Sequence, residues 1–498
     1  MPFTFRRCLF LCAPALLLAL TLRVLFCLSI PESFYGADSN SYFDTALQLW
    51  TKHHLVFGEK RRGLYPLIMA VAPLFPGNTA QFMAVFQHAL GLVTLVAIGW
   101  STGHVTRVQN LFVPLVTCLC AILPQMLWYE HEMIADSMIL AAFAVAAALG
   151  FPVQSLRGAR LFAFLCAALL IVAIKPHGRP LWLGLILAAA LITRNPLRWG
   201  WKNFALLAVT LAVILATGSS KQGGWLFLSS ALPLVKTEGE SFQDFRQALK
   251  PVVERVRADW AHYPWQQLPY KKALGSKDDA RAISPEWAAL VRDQKRYAKA
   301  TKKLAVEAVL AHPFAFAQLA LTKIGMTLAS NPLAVSGSFE PVQFWKEQAA
   351  RNDGRWQKNP AELQLLYERN HEKYDATVAA RVTRPALVPV KIFQIVKPLR
   401  WTRRISDESA PALQLTWFAA LGFLGLAVLI ARKNWREAAL LLLPCGLYLV
   451  LIYSIGDSVP RYLLAVEWLG LLLAAIALDG VFSLIFRTRQ KAANPVSG

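Results

Sequence analysis

The chain has 498 residues, of which 56% are hydrophobic and only 16% are charged, and its mean hydropathy is +0.40. Soluble domains seldom reach these values, so the composition indicates a protein with many membrane-spanning helices. Much of the net charge of +22 lies on loops between apolar segments. We therefore expect membrane lipids with anionic headgroups as its counterions, and no nucleic-acid partner.

Apolar stretches long enough to cross a membrane recur along the chain, since a hydrocarbon core about 30 Å thick needs roughly 20 apolar residues. The sequence predicts an all-α polytopic membrane protein with about ten transmembrane helices. The predicted spans are residues 8–30, 79–101, 109–128, 133–153, 159–175, 180–193, 202–218, 411–431, 436–455 and 459–485. The apolar stretch 64–76 is short and proline-rich, and is predicted to be a re-entrant or horizontal helix.

Basic residues indicate the orientation, because Lys and Arg in short loops are retained on the cytoplasmic side. They cluster on alternate loops, for example at Arg107, Arg194 and Arg432. The pattern predicts that both termini are cytoplasmic and that the first apolar segment is an uncleaved anchor. All seven cysteines lie in apolar segments, so we expect buried small hydrophobes rather than a disulfide or a thiolate metal site.

Three regions follow from this pattern. Residues 1–218 form an N-terminal transmembrane block with a first outer loop at 31–63, and residues 411–498 form a C-terminal transmembrane block with a short cytoplasmic tail. Between them, residues 219–410 are predicted to be a largely helical outer domain. Its apolar run 303–330 is interrupted by charges and is predicted to be an interfacial helix.

The first outer loop contains GADSNSYFDTA, in which Asp38 directly precedes a helix-like run from Ser41 to Trp50. Asp38 or Ser39 would cap that helix, or Asp38 would act as a general base for a hydroxyl group. The two roles are compatible, because a carboxylate near a helix N-terminus stays ionised. Asp44, inside the run, is interpreted as a solvated residue.

Several motifs in order resemble one enzyme family. Arg23, Asp38, Tyr42 and Ala46 are followed by RRGLYPLIMA, PQMLWYEHEMIADSMIL, IKPHGRPLWL, VLAHPFAFAQLALTK and PRYLLAVEWLGLLLAA. This series resembles the C-type superfamily of polyprenyl-phosphate-sugar-dependent glycosyltransferases, nearest to its bacterial protein-mannosyltransferase and aminoarabinose-transferase branch. One departure is that the first loop carries Asp38-Ser39, where the family often has two acidic residues.

The resemblance implies a catalytic role for Asp38. It also implies an acidic residue in the second outer loop, for which Asp136 matches best and Glu130 and Glu132 are alternatives. A water-facing acidic loop is the competing interpretation. Glu130 and Asp136 would face different directions if one helix began at Glu130, because six residues turn through about 600°.

Outward cations are predicted to bind the lipid phosphate. Lys175 and Arg179 lie in a short outer loop where basic residues are unexpected, and Arg461 and Arg62 lie in other outer loops. The competing interpretations are snorkelling to lipid headgroups for Lys175 and Arg179, and a pair with Asp457 for Arg461. The predicted supporting residues are Tyr42, Tyr65 and His177. Arg23, inside a span, needs a partner, and a loop carboxylate would serve.

The sequence does not specify whether a metal ion binds. His131 stands between Glu130 and Glu132, but adjacent residues on a helix diverge and no second histidine lies at ligand spacing, which disfavours a zinc site. A loosely held Mg²⁺ or Ca²⁺ would suit the carboxylates and a phosphate.

The resemblance therefore implies transfer of a sugar from a polyprenyl-phosphate donor, such as an undecaprenyl phosphate, to an acceptor glycan, lipid or protein of the cell envelope. Inversion is expected, at the periplasmic face of a bacterial inner membrane. The alternative is a transporter or flippase for polyprenyl lipids or lipid-linked sugars, which would place phosphate-binding charges on both sides. A third interpretation is a membrane scaffold whose outer domain binds envelope partners.

Overall fold

The computed structural model describes residues 3–29, 33, 39, 42, 45, 46, 48, 49, 64–75, 79–196, 199–216, 223–262, 285–292, 294–329, 417–455 and 464–493. Every longer regular element in these ranges is a helix, as the composition predicts. Asp38, Arg62, Arg461 and Asp457 lie outside the described residues, so the roles assigned to them stay predictions.

The N-terminal block comprises the helices that we number α1 to α9. They are α1 (Phe5–Ser29), α2 (Leu64–Val71), α3 (Thr79–Val105), α4 (Gln109–Ile122), α5 (Pro124–His131), α6 (Asp136–Gly150), α7 (Gly158–Ile174), α8 (Arg179–Thr193) and α9 (Trp201–Ala216). The remaining described helices are α10 (Gly223–Ala231), α11 (Gln243–His262), α12 (Pro285–Arg292), α13 (Gln294–Ala311), α14 (Pro313–Ala329), α15 (Trp417–Ala431), α16 (Trp435–Ile455) and α17 (Leu464–Ala493).

Four of the described helices are individually long and apolar enough to cross a membrane, namely α1, α3, α16 and α17. Shorter apolar helices stand beside them, including α4, α6 and α7. Large apolar side chains face outward, such as Phe10, Leu17 and Phe423, as expected where lipid replaces water. The chain is thus an all-α membrane protein, and the number of crossings stays a prediction.

Two predicted segments are broken in the structure, and a proline follows each break. The span predicted at 109–128 ends at Ile122, and α5 begins at Pro124 because a proline disfavours the helical conformation of the residue before it. The single helix predicted at 303–330 is likewise divided at His312, where α13 and α14 meet at a bend of 102°. The continuity predicted for both segments is therefore wrong.

The bundle has two ends, which we name after buried carboxylates. The Asp136 end contains the C-termini of α1 and α7 and the N-termini of α3, α6 and α8. The Asp479 end contains the turn from α3 to α4 and the turn from α15 to α16, and both turns contact Asp479. Two loops predicted to share the cytoplasmic side, those at Arg107 and Arg432, therefore meet at one end.

Two large hydrophobic cores are present in the described residues. The bundle core runs from Ala19 to Ile476 and includes α16 packed along α8 and α17 packed along α6. The second core lies in the hydrophilic part of the chain, where Trp225, Phe245 and Trp287 meet between α10, α11, α12 and α13. Arg246 on α11 donates a hydrogen bond to Glu307 on α13 at 2.7 Å and so links two helices around this core. We call this unit the helical module.

Candidate active site at the Asp136 end

A buried ion pair joins α1 to the end of α5. Arg23 donates from Nε to Glu130 Oε2 at 2.7 Å and from Nη2 to Glu130 Oε1 at 2.6 Å. Both side chains are almost fully buried, and such a forked contact is the strongest pairing that an arginine makes with a carboxylate. Arg23 was expected to pair with a loop carboxylate, and its partner is Glu130.

The carboxylate of Glu130 fits against α3 because Gly91 has no side chain. A Cβ atom at position 91 would overlap that carboxylate. His88 lies on the same face of α3, one turn earlier, and its Nδ1 is 3.0 Å from Glu130 Oε2. Because the Glu130 oxygens already accept the two hydrogen bonds of Arg23, His88 Nδ1 is assigned as the donor in this contact.

A second histidine continues this chain of contacts. His88 Nε2 lies 2.9 Å from His131 Nδ1, and Cys27 of α1 is close to both. The sequence indicated neither contact, because no second histidine stands at ligand spacing from His131 and the cysteines were expected to be buried small hydrophobes. Sequence spacing misses such a cluster because its members come from three helices. The adjacent polar residues Gln87 and His88 inside an apolar span were the available signal.

Gln87 fixes the loop between α5 and α6. Its amide nitrogen donates to the carbonyl oxygens of Tyr129, Glu130 and Glu132 at 3.1, 3.1 and 2.8 Å. Its amide oxygen accepts from the Tyr65 hydroxyl at 2.7 Å. Carbonyl groups at a helix end lack partners within the helix, so this one side chain satisfies the end of α5.

The first outer loop is attached at the same place. Ser39 is fully buried and its hydroxyl donates to the carbonyl oxygen of Met133 at 2.8 Å. The Tyr42 ring packs edge-on against Tyr65, with centroids 4.9 Å apart. Ser39, which directly follows Asp38 in the chain, is thus hydrogen-bonded to the loop that leads into Asp136.

Asp136 and Lys175 form a second buried pair. Lys175 Nζ lies 3.1 and 3.0 Å from the two carboxylate oxygens of Asp136, and both residues are at most 5% exposed. Asp136 is the first residue of α6 and Lys175 directly follows α7, so each charge also has the sign that its helix end favours. Asp136 and Glu130 lie on separate helices, which removes the geometric conflict expected for a single helix.

The short loop after α7 has two other basic residues, His177 and Arg179. Arg179 begins α8 and donates from Nη2 to the carbonyl oxygen of Ile214 on α9 at 3.0 Å. His177 is half-buried in the 3₁₀ turn Pro176–Gly178. Gly178 is required there, because a Cβ atom would collide with the backbone of Ile171. The structure thus brings Lys175 and Asp136 together and holds Arg179 against the backbone of α9.

The described residues define an all-α membrane protein with a buried, multiply charged site at one end of its bundle. Such groups are costly in a membrane protein and are by default functional. The two buried pairs contribute equal numbers of positive and negative charges, so their burial does not require a net charge inside the bundle.

No protein-family model and no curated protein matches the sequence. Among solved structures, the chain is similar to the archaeal oligosaccharyltransferase AglB from Archaeoglobus fulgidus, described in complex with an inhibitory peptide and a dolichol-phosphate. The TM-score is 0.39 and the sequence identity 13%, and the match covers 99% of this chain but 52% of that one. The chain therefore spans about half the length of that enzyme, and at this similarity neither activity nor substrate follows from the match.

Proposed function

We propose that this chain is a membrane glycosyltransferase that transfers a sugar from a polyprenyl-phosphate donor to an acceptor in the bacterial cell envelope, with inversion. The observation that carries the proposal is the buried Asp136–Lys175 pair beside the anchor of the first outer loop. This loop contains Asp38, the proposed general base, directly before Ser39.

The proposed reaction requires one base and several cations. A sugar on a polyprenyl phosphate already has a good leaving group, so catalysis needs cations at the departing phosphate rather than a strong general acid. The acceptor hydroxyl needs one base. A glycoside hydrolase, in contrast, uses two carboxylates flanking the bond that breaks.

Lys175 is the proposed phosphate ligand that the structure describes best. Asp136 orients its ammonium group within a buried site, so its charge is preorganised before the donor arrives. Arg179, Arg461 and Arg62 are proposed to complete the phosphate site, with Tyr42, Tyr65 and His177 in support. The engagement of Glu130 with Arg23 and His88 favours Asp136 over Glu130 for the role next to the substrate.

The proposed reaction is tested with the protein in lipid nanodiscs. Undecaprenyl-phosphate-linked mannose and undecaprenyl-phosphate-linked aminoarabinose serve as donor probes, and membranes from cells lacking the gene serve as the acceptor source. We expect one donor to release undecaprenyl phosphate while its sugar enters envelope material, detected by mass spectrometry. Movement of the intact lipid across a bilayer without any transfer would instead support the transporter.

The proposed base is tested by Asp38→Asn, which we expect to lower turnover by about 10²- to 10⁴-fold, as for loss of a general base. Asp44→Asn removes a carboxylate from the same loop and is the matched control. Undiminished turnover in Asp38→Asn would remove Asp38 from the mechanism.

The phosphate role of Lys175 is tested with two variants. Lys175→Arg keeps a cation beside Asp136 and should retain part of the activity, with a raised KM for the donor. The double variant Asp136→Asn with Lys175→Met leaves no unpaired charge, so it should fold yet have no detectable turnover. Full activity in the folded double variant would contradict the proposed role of this pair.

A further inference from the structure

Three side chains able to bind a transition metal converge from three separate helices at the Asp136 end. Cys27 on α1, His88 on α3 and His131 at the end of α5 each offer one ligand atom, and these atoms lie within 4.8 Å of one another. We propose that this cluster binds Zn²⁺. The proposal is independent of the proposed glycosyl transfer, since it concerns metal content and not turnover.

The separations suit such an ion after small side-chain movements. With a Zn–S bond of about 2.3 Å and Zn–N bonds of about 2.0 Å, ligand atoms on a tetrahedral ion stand roughly 3.3–3.6 Å apart. His88 Nε2 and His131 Nδ1, now 2.9 Å apart, need only open slightly, and the sulfur needs only to approach. The half-buried Cys27 provides the side from which an ion enters, while both histidines are buried.

The surroundings already orient one ligand. Glu130 accepts a hydrogen bond from His88 Nδ1, so the lone pair of His88 is on Nε2, which faces the cluster. A carboxylate behind a metal-bound histidine is the usual second layer of such sites. Arg23 fixes that carboxylate from its other side, and Cys27 lies one helical turn beyond Arg23 on the same face of α1.

The ligand types select the ion. One thiolate and two imidazoles favour Zn²⁺ or Cu⁺, whereas Mg²⁺ and Ca²⁺ require oxygen ligands. This cluster therefore differs in chemistry from the carboxylate site expected for Mg²⁺ or Ca²⁺. On binding, Cys27 releases its proton to solvent, and His131 moves its proton from Nδ1 to Nε2. Water takes the fourth position of the ion.

The ion would fasten α1, α3 and the end of α5 at one point. His131 is the last residue of α5, directly before the loop that Gln87 and Ser39 hold. An ion bound to His131 would therefore restrain the start of that loop.

The test measures metal in the purified full-length protein in nanodiscs, stripped with a chelator and then dialysed against Zn²⁺. We expect about one zinc per chain by plasma mass spectrometry, since the ligands form one site. With Co²⁺ as probe, we expect thiolate-to-cobalt charge-transfer absorption. Cys27→Ser should abolish that absorption and weaken zinc binding by more than the roughly 10- to 100-fold expected for losing a residue that only supports a ligand.

A matched control exists for each of the two ligand types, cysteine and histidine. Cys166→Ser changes another half-buried cysteine of the bundle, and His312→Asn changes an exposed histidine at the α13–α14 bend, so both should retain full zinc binding. His131→Asn should lose it. Absence of bound zinc in the wild type, a cobalt spectrum without the thiolate band, or unchanged binding in both Cys27→Ser and His131→Asn would each overturn the proposal. The first two outcomes use the unmodified chain, so a folding defect in a variant does not obscure the result.

Discussion

The two ends of the bundle use buried charge differently. At the Asp479 end, the Asp479 carboxylate accepts the backbone N–H groups of Arg107 and Val108 at 3.0 and 2.9 Å and a contact from Arg432 at 2.8 Å. Each of these contacts gives a hydrogen-bond partner to a group in a turn, and together they link the two turns through Asp479. At the Asp136 end, the contacts are mainly between side chains: the Arg23–Glu130 pair continues into the two histidines, and Lys175 pairs separately with Asp136.

The buried charge at one end is needed to satisfy the fold, whereas the buried charge at the other end exceeds what the fold requires. Asp479 is explained fully by the turn into α4, whose backbone donors would otherwise lack partners. The Asp136 end buries more ionisable groups than are needed to pair the free backbone groups of its helix ends. A buried ion pair is weak evidence for stability, so this surplus is better explained by function.

The largest expected difference between the ends concerns Arg23→Met. It leaves Glu130 buried without its forked partner, so we expect the free energy of unfolding to fall by about 3–5 kcal/mol. The measurement is SDS-induced unfolding in mixed micelles. Adding Glu130→Gln to the variant removes the stranded charge and should restore most of the loss. A single variant as stable as the wild type would show that the pair is not a fixed part of this end.

An intermediate effect is expected for Gly91→Ala, because the new methyl group would overlap the Glu130 carboxylate. Overpacking of this kind costs about 1–3 kcal/mol, measured by the same unfolding titration. The matched control is Gly446→Ala in α16, where nothing lies within 4 Å of the added atom. The control should be neutral or more stable by up to about 1 kcal/mol, since alanine favours a helix. Equal effects at both positions would contradict the close contact at Gly91.

The smallest effect is expected for Asp479→Asn. The amide keeps one acceptor oxygen and Arg432 lies at the C-terminal end of α15, where its charge is favourable, so the loss should be about 1–2 kcal/mol. Turnover per folded molecule should not change, because the site lies at the opposite end. Thermal unfolding and donor-release assays on the same preparation check both parts. A selective loss of turnover would show that the two ends are functionally coupled, and would contradict a purely structural role for Asp479.

Much of the helical architecture could be predicted from the sequence, because long apolar runs report burial in lipid directly. The helices at 79–105, 158–174 and 435–455 begin or end within a few residues of their predicted bounds. The errors occur at Leu123 and His312, where apolarity continues through a break. Hydropathy measures solvent preference and not backbone geometry, so only the prolines at 124 and 313 indicated these breaks.

The candidate site was predictable in its residue types but not in its pairing. Lys175 and Asp136 were both selected, yet as members of different groups, and their contact depends on the approach of α7 to α6. Cys27 and His88 were missed because each lies within an apolar segment, far along the chain from the residues that it contacts. Contacts between distant segments leave no local spacing pattern, and only the fold reveals them.

Among the described residues, the core of the helical module is drawn entirely from positions 225 to 308. The bundle core, in contrast, needs α16 and α17 from the far end of the sequence to cover α8 and α6. During synthesis, a ribosome that has just completed α14 has therefore supplied every described residue of the module core, while α6 and α8 still lack α16 and α17. Assembly of the membrane part has to wait for the last helices to be inserted, whereas the module can mature before them.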